Sequence, residues 1–168
     1  MAGFLKAGAA AALALAASPA AGQAPLGPDS ASCRRSAGES ALLVTVRGFR
    51  EPVGTVRVQA YRAREEEFLA PGRYVRRIDL PVGRGGTINV CVALPEPGRY
   101  AIAVRHDEDE DGRTSWSDGG GFSNNPPLSL AARPTAEEAA VEVGRGVKRV
   151  EVLLHYRYGL TVRPAEGG

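Results

Sequence analysis

Residues 88–105 read INVCVALPEPGRYAIAVR and contain two runs in which large apolar residues recur at every second position. The first run is Ile88–Ala93 and the second is Tyr100–Arg105, and the turn-forming residues Pro95–Gly98 separate them. A period of two is the side-chain period of a β-strand, and it indicates a sheet with one face on a core and the other in water. The stretch therefore predicts two strands of an all-β, antiparallel protein.

The same period recurs along the rest of the chain. Alternating runs also cover residues 42–47, 56–61, 139–143 and 149–156, with glycine and proline clusters between them. A weaker run, Tyr74–Leu80, is rich in charge, which is typical of an edge strand protected from open pairing. The sequence thus predicts about seven strands in an antiparallel β-sandwich of immunoglobulin-like or transthyretin-like type, with a small closed barrel as the alternative.

Composition limits the class of protein. A chain of 168 residues fits one domain, and its Gly 21 and Pro 12 favour turns over long helices. Only Ala63–Leu69 has helical character, for two turns at most. A net charge of +2 is too small to indicate a nucleic-acid partner. The sequence contains no GxSxG, HExxH or glycine-rich phosphate loop, so no catalytic motif favours an enzyme.

The first 22 residues are typical of a secretory signal peptide. Lys6 gives a positive start, Ala7–Ala17 is apolar, and the small residues that follow suit cleavage at Ala20 or Gly22. The apolar stretch is too short to span a bilayer, and an Ala-rich helix of the domain itself is the alternative. We expect a signal peptide (1–22), an N-terminal segment (23–40) and a single β-sandwich domain (41–163) in a periplasmic or secreted protein without a membrane span.

The two cysteines, Cys33 and Cys91, both lie in the part of the chain predicted to be exported. An oxidising compartment favours a disulfide between them. Cys91 lies on the strand face opposite Val90, so a segment preceding the first strand is expected to cross that outer face and bring Cys33 to it. A bridge closing about 59 residues contributes roughly 4 kcal/mol in the chain-entropy model. Two free thiols, or a redox or nucleophilic cysteine, are the alternatives.

An acidic turn opens the long interruption at 106–136. Five consecutive carboxylates, Asp107–Asp111, precede Gly112, and their spacing resembles positions 1, 3, 5 and 6 of a calcium loop. Such crowding favours a counter-ion, and hard oxygen ligands suit calcium better than zinc. A solvated acidic turn without an ion is the alternative. The predicted structural calcium loop at 107–118 has these candidate ligands: Asp107, Asp109, Asp111, Arg113 through its carbonyl, Ser115 and Asp118.

The second half of the interruption suggests a binding surface. Trp116, Phe122, Asn124 and Asn125 are candidates for a platform that holds a carbohydrate or cell-wall fragment. The alternative is that the two aromatic rings fold the loop onto the sandwich. His106 beside the acidic run gives a third hypothesis, a metal-dependent hydrolase, against which stands a histidine that simply ends a strand.

The run GRYAIAVRHDEDEDGRTSWSDGGGFSNNP (Gly98–Pro126) is similar to the domain-of-unknown-function family 2141, small exported bacterial proteins. A Gly-x-Tyr-Ala strand, a His-Asp-rich turn and a Gly-Phe-Ser-Asn-Asn exit carry the resemblance. The segments Val46–Tyr61 and Arg149–Tyr156 also resemble the family's first and last strands. This turn is all-acidic up to Gly112, unlike the family's usual Asp-Glu-Asn-Gly-Asn-Gly. The resemblance implies an extracytoplasmic β-sandwich and no particular activity.

The sequence as a whole therefore predicts an exported, non-enzymatic β-sandwich module with a disulfide and a structural calcium loop. The expected partner is a cell-envelope glycan or protein. A carbohydrate-binding module and a metal-dependent hydrolase remain the alternatives.

Overall fold

A computed structural model describes residues 23–34 and 38–165. Within these residues the chain forms ten strands and no helix. They are β1 (Ser40–Arg47), β2 (Thr55–Arg62), β3 (Arg76–Pro81), β4 (Thr87–Leu94), β5 (Gly98–Asp107), β6 (Gly119–Phe122), β7 (Ala140–Val143), β8 (Gly146–Leu153), β9 (His155–Tyr158) and β10 (Thr161–Pro164).

The ten strands form two sheets. The small sheet has the order β4-β1-β8, in which β1 is antiparallel to β4 and parallel to β8. The large sheet has the order β10-β9-β6-β5-β2-β3. β7 pairs with the first part of β5 (98–101), and β6 pairs with its last part (103–106). This arrangement confirms the predicted all-β sandwich.

The main core lies between the two sheets and is built from the alternating residues that the sequence predicts to be buried. Leu42, Val44 and Val46 of β1 are fully buried, and Ile102 of β5 is buried opposite them. Because one face of each strand is apolar, packing face on face removes both from water, which is the main stabilising contribution in a sandwich.

A smaller core lies on the outer face of the large sheet. Two segments cover the sheet there, the turns after β2 and the loop between β6 and β7. Phe68 from the first packs edge-on against Tyr61 and against Phe122. The other members of this core are Leu69, Ala101, Ala103, Ala136 and Ala139.

The N-terminal segment runs along the free edge of β4. The backbone of Leu26 hydrogen bonds to Asn89 and Cys91, and Cys33 forms a disulfide with Cys91. The Asp29 carboxylate accepts the Ala93 N–H of the small sheet and the guanidinium of Arg76 of the large sheet. The predicted disulfide is therefore confirmed, and the segment that carries Cys33 connects both sheets.

Three features differ from the prediction or lie beyond the structure. The strands number ten and not seven for three reasons: the last run breaks after Leu153 into β8 and β9, a glycine-rich strand, β6, follows the acidic turn, and β10 follows β9. Ala63–Leu69 forms hydrogen-bonded turns and no helix, and Leu69 has a φ of +58°. The predicted signal peptide (1–22) lies outside the described residues. In the part of the chain that the structure describes, no helix is long and apolar enough to cross a membrane.

Candidate cation site and adjoining groove

The acidic turn connects two neighbouring strands of the large sheet, β5 and β6. It passes close to the backbone at Gly54, immediately before β2. This residue has a φ of +76°, and a Cβ there would overlap the carbonyl oxygen of Asp107. The start of the turn is therefore packed directly against the chain that enters β2.

Three of the predicted carboxylates converge in this turn. Asp107, Asp109 and Asp118 each offer an oxygen, and these oxygens lie within 4.8 Å of one another. The side chains of Asp107 and Asp118 are 6% and 3% exposed, whereas Asp109 is exposed. Two buried anions and one at the surface form a small cup of hard oxygen ligands, the chemistry that calcium prefers.

Arg105 already compensates part of this negative charge. Its guanidinium lies 2.8 Å from Asp107 Oδ2 and 3.8 Å from Asp118 Oδ2, and its side chain is only 14% exposed. Arg50 does the same for Glu108, at 2.8 Å, and donates to the carbonyl oxygen of Ser117. The crowding of like charges is thus relieved in part by arginines of the same domain.

One oxygen of the cluster is left without a partner. Asp107 Oδ2 accepts hydrogen bonds from Arg105 and from the Gly112 N–H, whereas the buried Asp107 Oδ1 has no hydrogen-bond partner among the described residues. A buried polar atom without a partner costs about 1–3 kcal/mol, so such atoms are rare unless a ligand or water satisfies them. Oδ1 is therefore an atom that a cation or a water molecule could satisfy. The Nε of Arg105 is unpaired as well.

Asp118 is the most strongly embedded acid of the turn. Its carboxylate accepts the Ser115 N–H at 3.2 Å and the Ser115 hydroxyl at 2.9 Å. Burial raises the pKa of Asp118 above its usual value; the Ser115 hydrogen bonds and Arg105 oppose this rise, and the Asp107 charge adds to it. A positive ion beside this carboxylate offsets the same desolvation.

The remaining predicted ligands lie differently. Asp111 does not belong to the three-carboxylate group, and its Oδ1 accepts the Arg113 N–H at 2.7 Å. The Ser115 hydroxyl donates to Asp118 and lies 2.6 Å from the Ser117 hydroxyl. A helical calcium hand brings position 5 to the ion, but this turn between strands directs that carboxylate to its own backbone.

Two residues of the site are absent from the predicted set. Arg105 precedes Asp107 by two positions in β5, so the strand period places both side chains on the outer face. That signal was present in the sequence. Ser117 donates to Asp109 Oδ2 at 3.0 Å, but nothing in its sequence context distinguishes it from the other serines of the turn.

His106 points the opposite way, into the main core. It is fully buried, its Nδ1 lies 2.7 Å from the Tyr156 hydroxyl, and its Nε2 lies 2.7 Å from the carbonyl oxygen of Val53. Burial of the Tyr156 phenol raises its pKa to about 12. Both ring nitrogens of His106 therefore hold structural contacts away from the carboxylate cup.

Trp116 and Phe122 line one groove on the outer face of the large sheet. The groove has a volume of about 460 Å³, and the turn residues 114–116 and 118 form one of its walls. Trp116 is 71% exposed, and the Arg157 guanidinium lies 3.4 Å from the centre of its ring. Phe122 also packs against the smaller core, as expected if its ring folds the loop onto the sandwich.

The side chains of Asn124 and Asn125 form hydrogen bonds with the main chain. Asn124 Nδ2 donates to the carbonyl oxygens of Glu138 and Ala140, at 3.1 and 2.8 Å. Asn125 Oδ1 accepts the Leu153 N–H at 2.7 Å, and its Nδ2 donates to the Glu151 carbonyl at 3.2 Å. The structure thus places neither residue in the groove that Trp116 and Phe122 line.

The family model described as "Uncharacterized protein conserved in bacteria (DUF2141)" matches residues 44–151, more than half of the chain. The match runs from β1 to β8 and includes the acidic turn and the asparagine pair. No curated protein and no solved structure matches the chain.

Proposed function

This chain belongs to the family of uncharacterized bacterial proteins DUF2141, and we propose that it is an exported, non-enzymatic β-sandwich module whose acidic turn binds a structural calcium ion. The observation that carries the proposal is the cup formed by Asp107, Asp109 and Asp118, with the unpartnered Asp107 Oδ1. In this proposal the ion fixes the turn and water molecules complete its coordination, since calcium takes about six to eight oxygen ligands.

The disulfide and the N-terminal sequence support export. Disulfides persist in oxidising compartments and are rare in a reducing cytosol, and Cys33 is bonded to Cys91. Residues 1–22 have the three regions of a secretory signal. We expect the protein recovered from its host to begin near residue 21 or 23 and to contain no free thiol. Recovery of the full-length chain from the cytoplasm with two free thiols contradicts the proposal.

The buried position of His106 favours a module without hydrolase activity. A general base has to reach the proton that it abstracts, and both nitrogens of this fully buried histidine already contact partners, the Tyr156 hydroxyl and the Val53 carbonyl oxygen. The hydrolase alternative predicts turnover of a generic ester or phosphate that disappears in His106→Ala. Turnover that this substitution abolishes, in a variant that still folds, overturns the non-enzymatic assignment.

Calorimetry of the oxidised protein with calcium or with a chelator tests the ion site. At a hundredfold excess over the dissociation constant, calcium adds about 2.7 kcal/mol to the free energy of unfolding and raises the melting temperature accordingly. Magnesium is expected to give a smaller increase, because it keeps its own waters and demands a tighter octahedron. A melting temperature that calcium does not change contradicts the proposal.

Asp109→Asn and Asp111→Asn form a matched pair for this test. Both are acidic residues of the same turn, two positions apart, and only Asp109 belongs to the three-carboxylate group. We expect Asp109→Asn to abolish most of the calcium-induced stabilisation and Asp111→Asn to leave it nearly unchanged. Equal losses in the two variants indicate non-specific attraction of the ion to the acidic turn.

A second candidate function is the binding of a carbohydrate or cell-wall fragment in the groove. The observation in its favour is that Trp116 and Phe122 line the same groove. Aromatic rings commonly pack against the apolar side of ligands in such sites. Trp116 is the chain's only tryptophan, so its fluorescence reports on the groove directly. An unchanged spectrum across a panel of neutral and acidic glycans counts against this function.

A further inference from the structure

We infer that the groove selects an anionic saccharide, in which a carboxylate is attached to a pyranose ring, over a neutral one. The inference rests on the second candidate function, and it concerns the groove and not the carboxylate cup. Three features of the groove carry it: a bare floor, an apolar surface beside that floor, and an uncompensated positive charge at the rim.

The floor of the groove is backbone at Gly120, in the middle of β6. A Cβ built there meets only the Val104 carbonyl oxygen, at 3.9 Å, so the position is open towards the groove. Its neighbours Gly119 and Gly121 face the main core, where an added Cβ would overlap Tyr156 and Val152. Because Gly120 carries no side chain, a flat ligand can approach the sheet itself.

The apolar surface surrounds this floor on two sides. Phe122 lies beyond it in β6, and Leu130, which is 47% exposed, lies in the loop between β6 and β7. Trp116 also lines the groove. A groove of about 460 Å³ lies within the range of roughly 300–1,000 Å³ that small-ligand sites occupy. The size fits one or two sugar rings packed against these side chains.

The charged groups of the groove are not balanced. Among the described residues that line the groove, Asp118 is the only acidic one; its side chain is 3% exposed and accepts hydrogen bonds from Ser115. Arg105, Arg133 and Arg157 also line the groove, and Arg105 is paired with Asp107 and Asp118. Arg133 is exposed and has no hydrogen-bond or ion-pair partner within residues 23–34 and 38–165. The uncompensated charge in the groove is therefore positive, which complements an anion.

Arg157 is held in position to bind a carboxylate. Its Nε donates to the carbonyl oxygen of Gly159 at 2.6 Å, and its guanidinium stacks on Trp116. An arginine that is already oriented loses less side-chain entropy when it forms a charge-assisted hydrogen bond. Because the guanidinium covers one face of the Trp116 ring, a saccharide contacts the remainder of the ring and brings a ring substituent beside the guanidinium. A neutral saccharide gains the ring contacts and lacks the charge-assisted hydrogen bond.

Binding of matched acidic and neutral sugars tests the inference. The carboxylate can come from a uronic acid or from the lactyl group of muramic acid, so the probes are tri-galacturonate and N-acetylmuramic acid, each compared with its methyl ester. We expect the acids to bind at least tenfold more tightly than their esters in a calorimetric titration. The difference should shrink as salt rises from 0.05 to 0.5 M, because salt screens exposed charges. Binding of only one acid supports the inference and identifies the source of the carboxylate.

Two pairs of variants locate the effect. Arg133→Gln combined with Arg157→Gln should reduce the affinity for the acids about tenfold and leave the affinity for the esters unchanged. Arg84 is an exposed arginine outside the groove, and Arg84→Gln should change neither affinity. Gly120→Leu should block both classes of sugar. Gly83→Leu is its control, because a Cβ at Gly83 meets nothing within 4 Å.

The outcomes separate the two proposals. Equal binding of acids and esters, lost in Gly120→Leu, overturns the anionic preference and leaves the carbohydrate-binding function standing. No binding of any sugar by the folded protein overturns both. Acid binding that survives Gly120→Leu and the double arginine variant places the site elsewhere and also overturns the inference.

Discussion

Two polar motifs on either side of β6 differ in how their side chains are bonded, although the sequence offers candidate ligand-binding residues in both. The corner Ser123–Asn125 has its side-chain polar groups bonded to the backbone of β5, β8 and the β7 region. The acidic turn holds a buried carboxylate oxygen, on Asp107, without a hydrogen-bond partner among the described residues.

The two motifs differ in whether their buried polar atoms already have hydrogen-bond partners. Asn124 and Asn125 have φ values of +62° and +47°, a left-handed conformation that asparagine tolerates better than most residues. Their composition therefore suits a tight corner that ties strands together. In the acidic turn, Arg105 leaves one oxygen of Asp107 unsatisfied, and an unsatisfied buried atom is what a ligand can complete.

Of the substitutions considered, one at Ser123 in the corner should lower the free energy of unfolding most. Ser123→Ala removes the acceptor of the buried Ile102 N–H and the donor to the Ala139 carbonyl. Two buried main-chain groups without partners should lower the free energy of unfolding by about 2–4 kcal/mol in urea denaturation. Ser129→Ala is the control, because its hydroxyl bonds only an exposed N–H and its loss should cost less than about 0.5 kcal/mol. A cost below about 1 kcal/mol for Ser123→Ala contradicts a structural corner.

The next prediction concerns the effect of pH on stability through Tyr156, the buried phenol that contacts His106. Burial raises the pKa of Tyr156 from its ordinary value of 10.0 to about 12, so the folded chain keeps a proton that the unfolded chain releases near pH 10. Stability from this phenol is complete below pH 10 and is lost between pH 10 and 12, by roughly 2–3 kcal/mol. Tyr156→Phe should flatten the decline in a series of denaturation curves across that range. A decline of unchanged steepness in the variant shows that Tyr61 and Tyr100, whose pKa values burial also raises, are responsible instead.

A substitution of Asn125 should lower stability by a smaller amount and should leave the acidic turn unaffected. Asn125→Ala loses the acceptor of the Leu153 N–H and the donor to the Glu151 carbonyl oxygen. It also leaves alanine in a left-handed conformation that asparagine tolerates better. We expect a loss of about 1–2 kcal/mol in the free energy of unfolding. Asn125→Gly, which keeps the backbone freedom, should cost less. In both variants the calcium-induced rise in melting temperature should equal that of the parent, and a reduced rise links the corner to the ion site.

The smallest effect is expected on the exposed side of the acidic turn. Glu110 is exposed, and its carboxylate accepts one hydrogen bond from Thr55 at 3.1 Å. Glu110→Gln keeps the shape and removes the charge, so the free energy of unfolding should change by less than about 0.5 kcal/mol. The calcium response should remain. A loss above 1 kcal/mol, measured by the same denaturation, means that this part of the turn contributes more than its exposure indicates.

Much of the fold follows from the two-residue period. The runs that become β1, β2, β4 and β5 are visible because each carries its valine and isoleucine residues on one side only. The same period places Cys91 on the outer face, and its disulfide with Cys33 confirms that placement.

Other parts of the fold could not be predicted for identifiable reasons. β6 consists of Gly119–Phe122, and three glycines carry no alternation and have low strand propensity. They form a strand by pairing with β5 and β9, and glycine is required because Tyr156, Val152 and the Leu153 carbonyl oxygen occupy the space that a Cβ at Gly119 or Gly121 would need. The parallel pairing of β1 with β8 joins residues about 100 positions apart, which no local pattern encodes.

The residues of the candidate site could likewise be identified from the sequence only in part. Asp107 and Asp109 could be selected because their spacing matches a known loop, and Asp118 because it stands at the far end of that loop. The spacing also selected Asp111, which the turn between strands directs to its own backbone. The groove could not be found locally, because its walls come from the acidic turn, the loop after β6, and β9.

The link between Cys33 and Cys91 has a mechanical consequence. If the two ends of the domain are pulled apart, tension passes from the N-terminal segment through the sulfur atoms directly into β4, bypassing the 58-residue separation between the cysteines. β1, β2 and β3 lie within that bypassed stretch. As long as the disulfide is intact, a pulling force cannot unfold these three strands from the N-terminal side. The domain therefore resists extension by a force applied at its N-terminus.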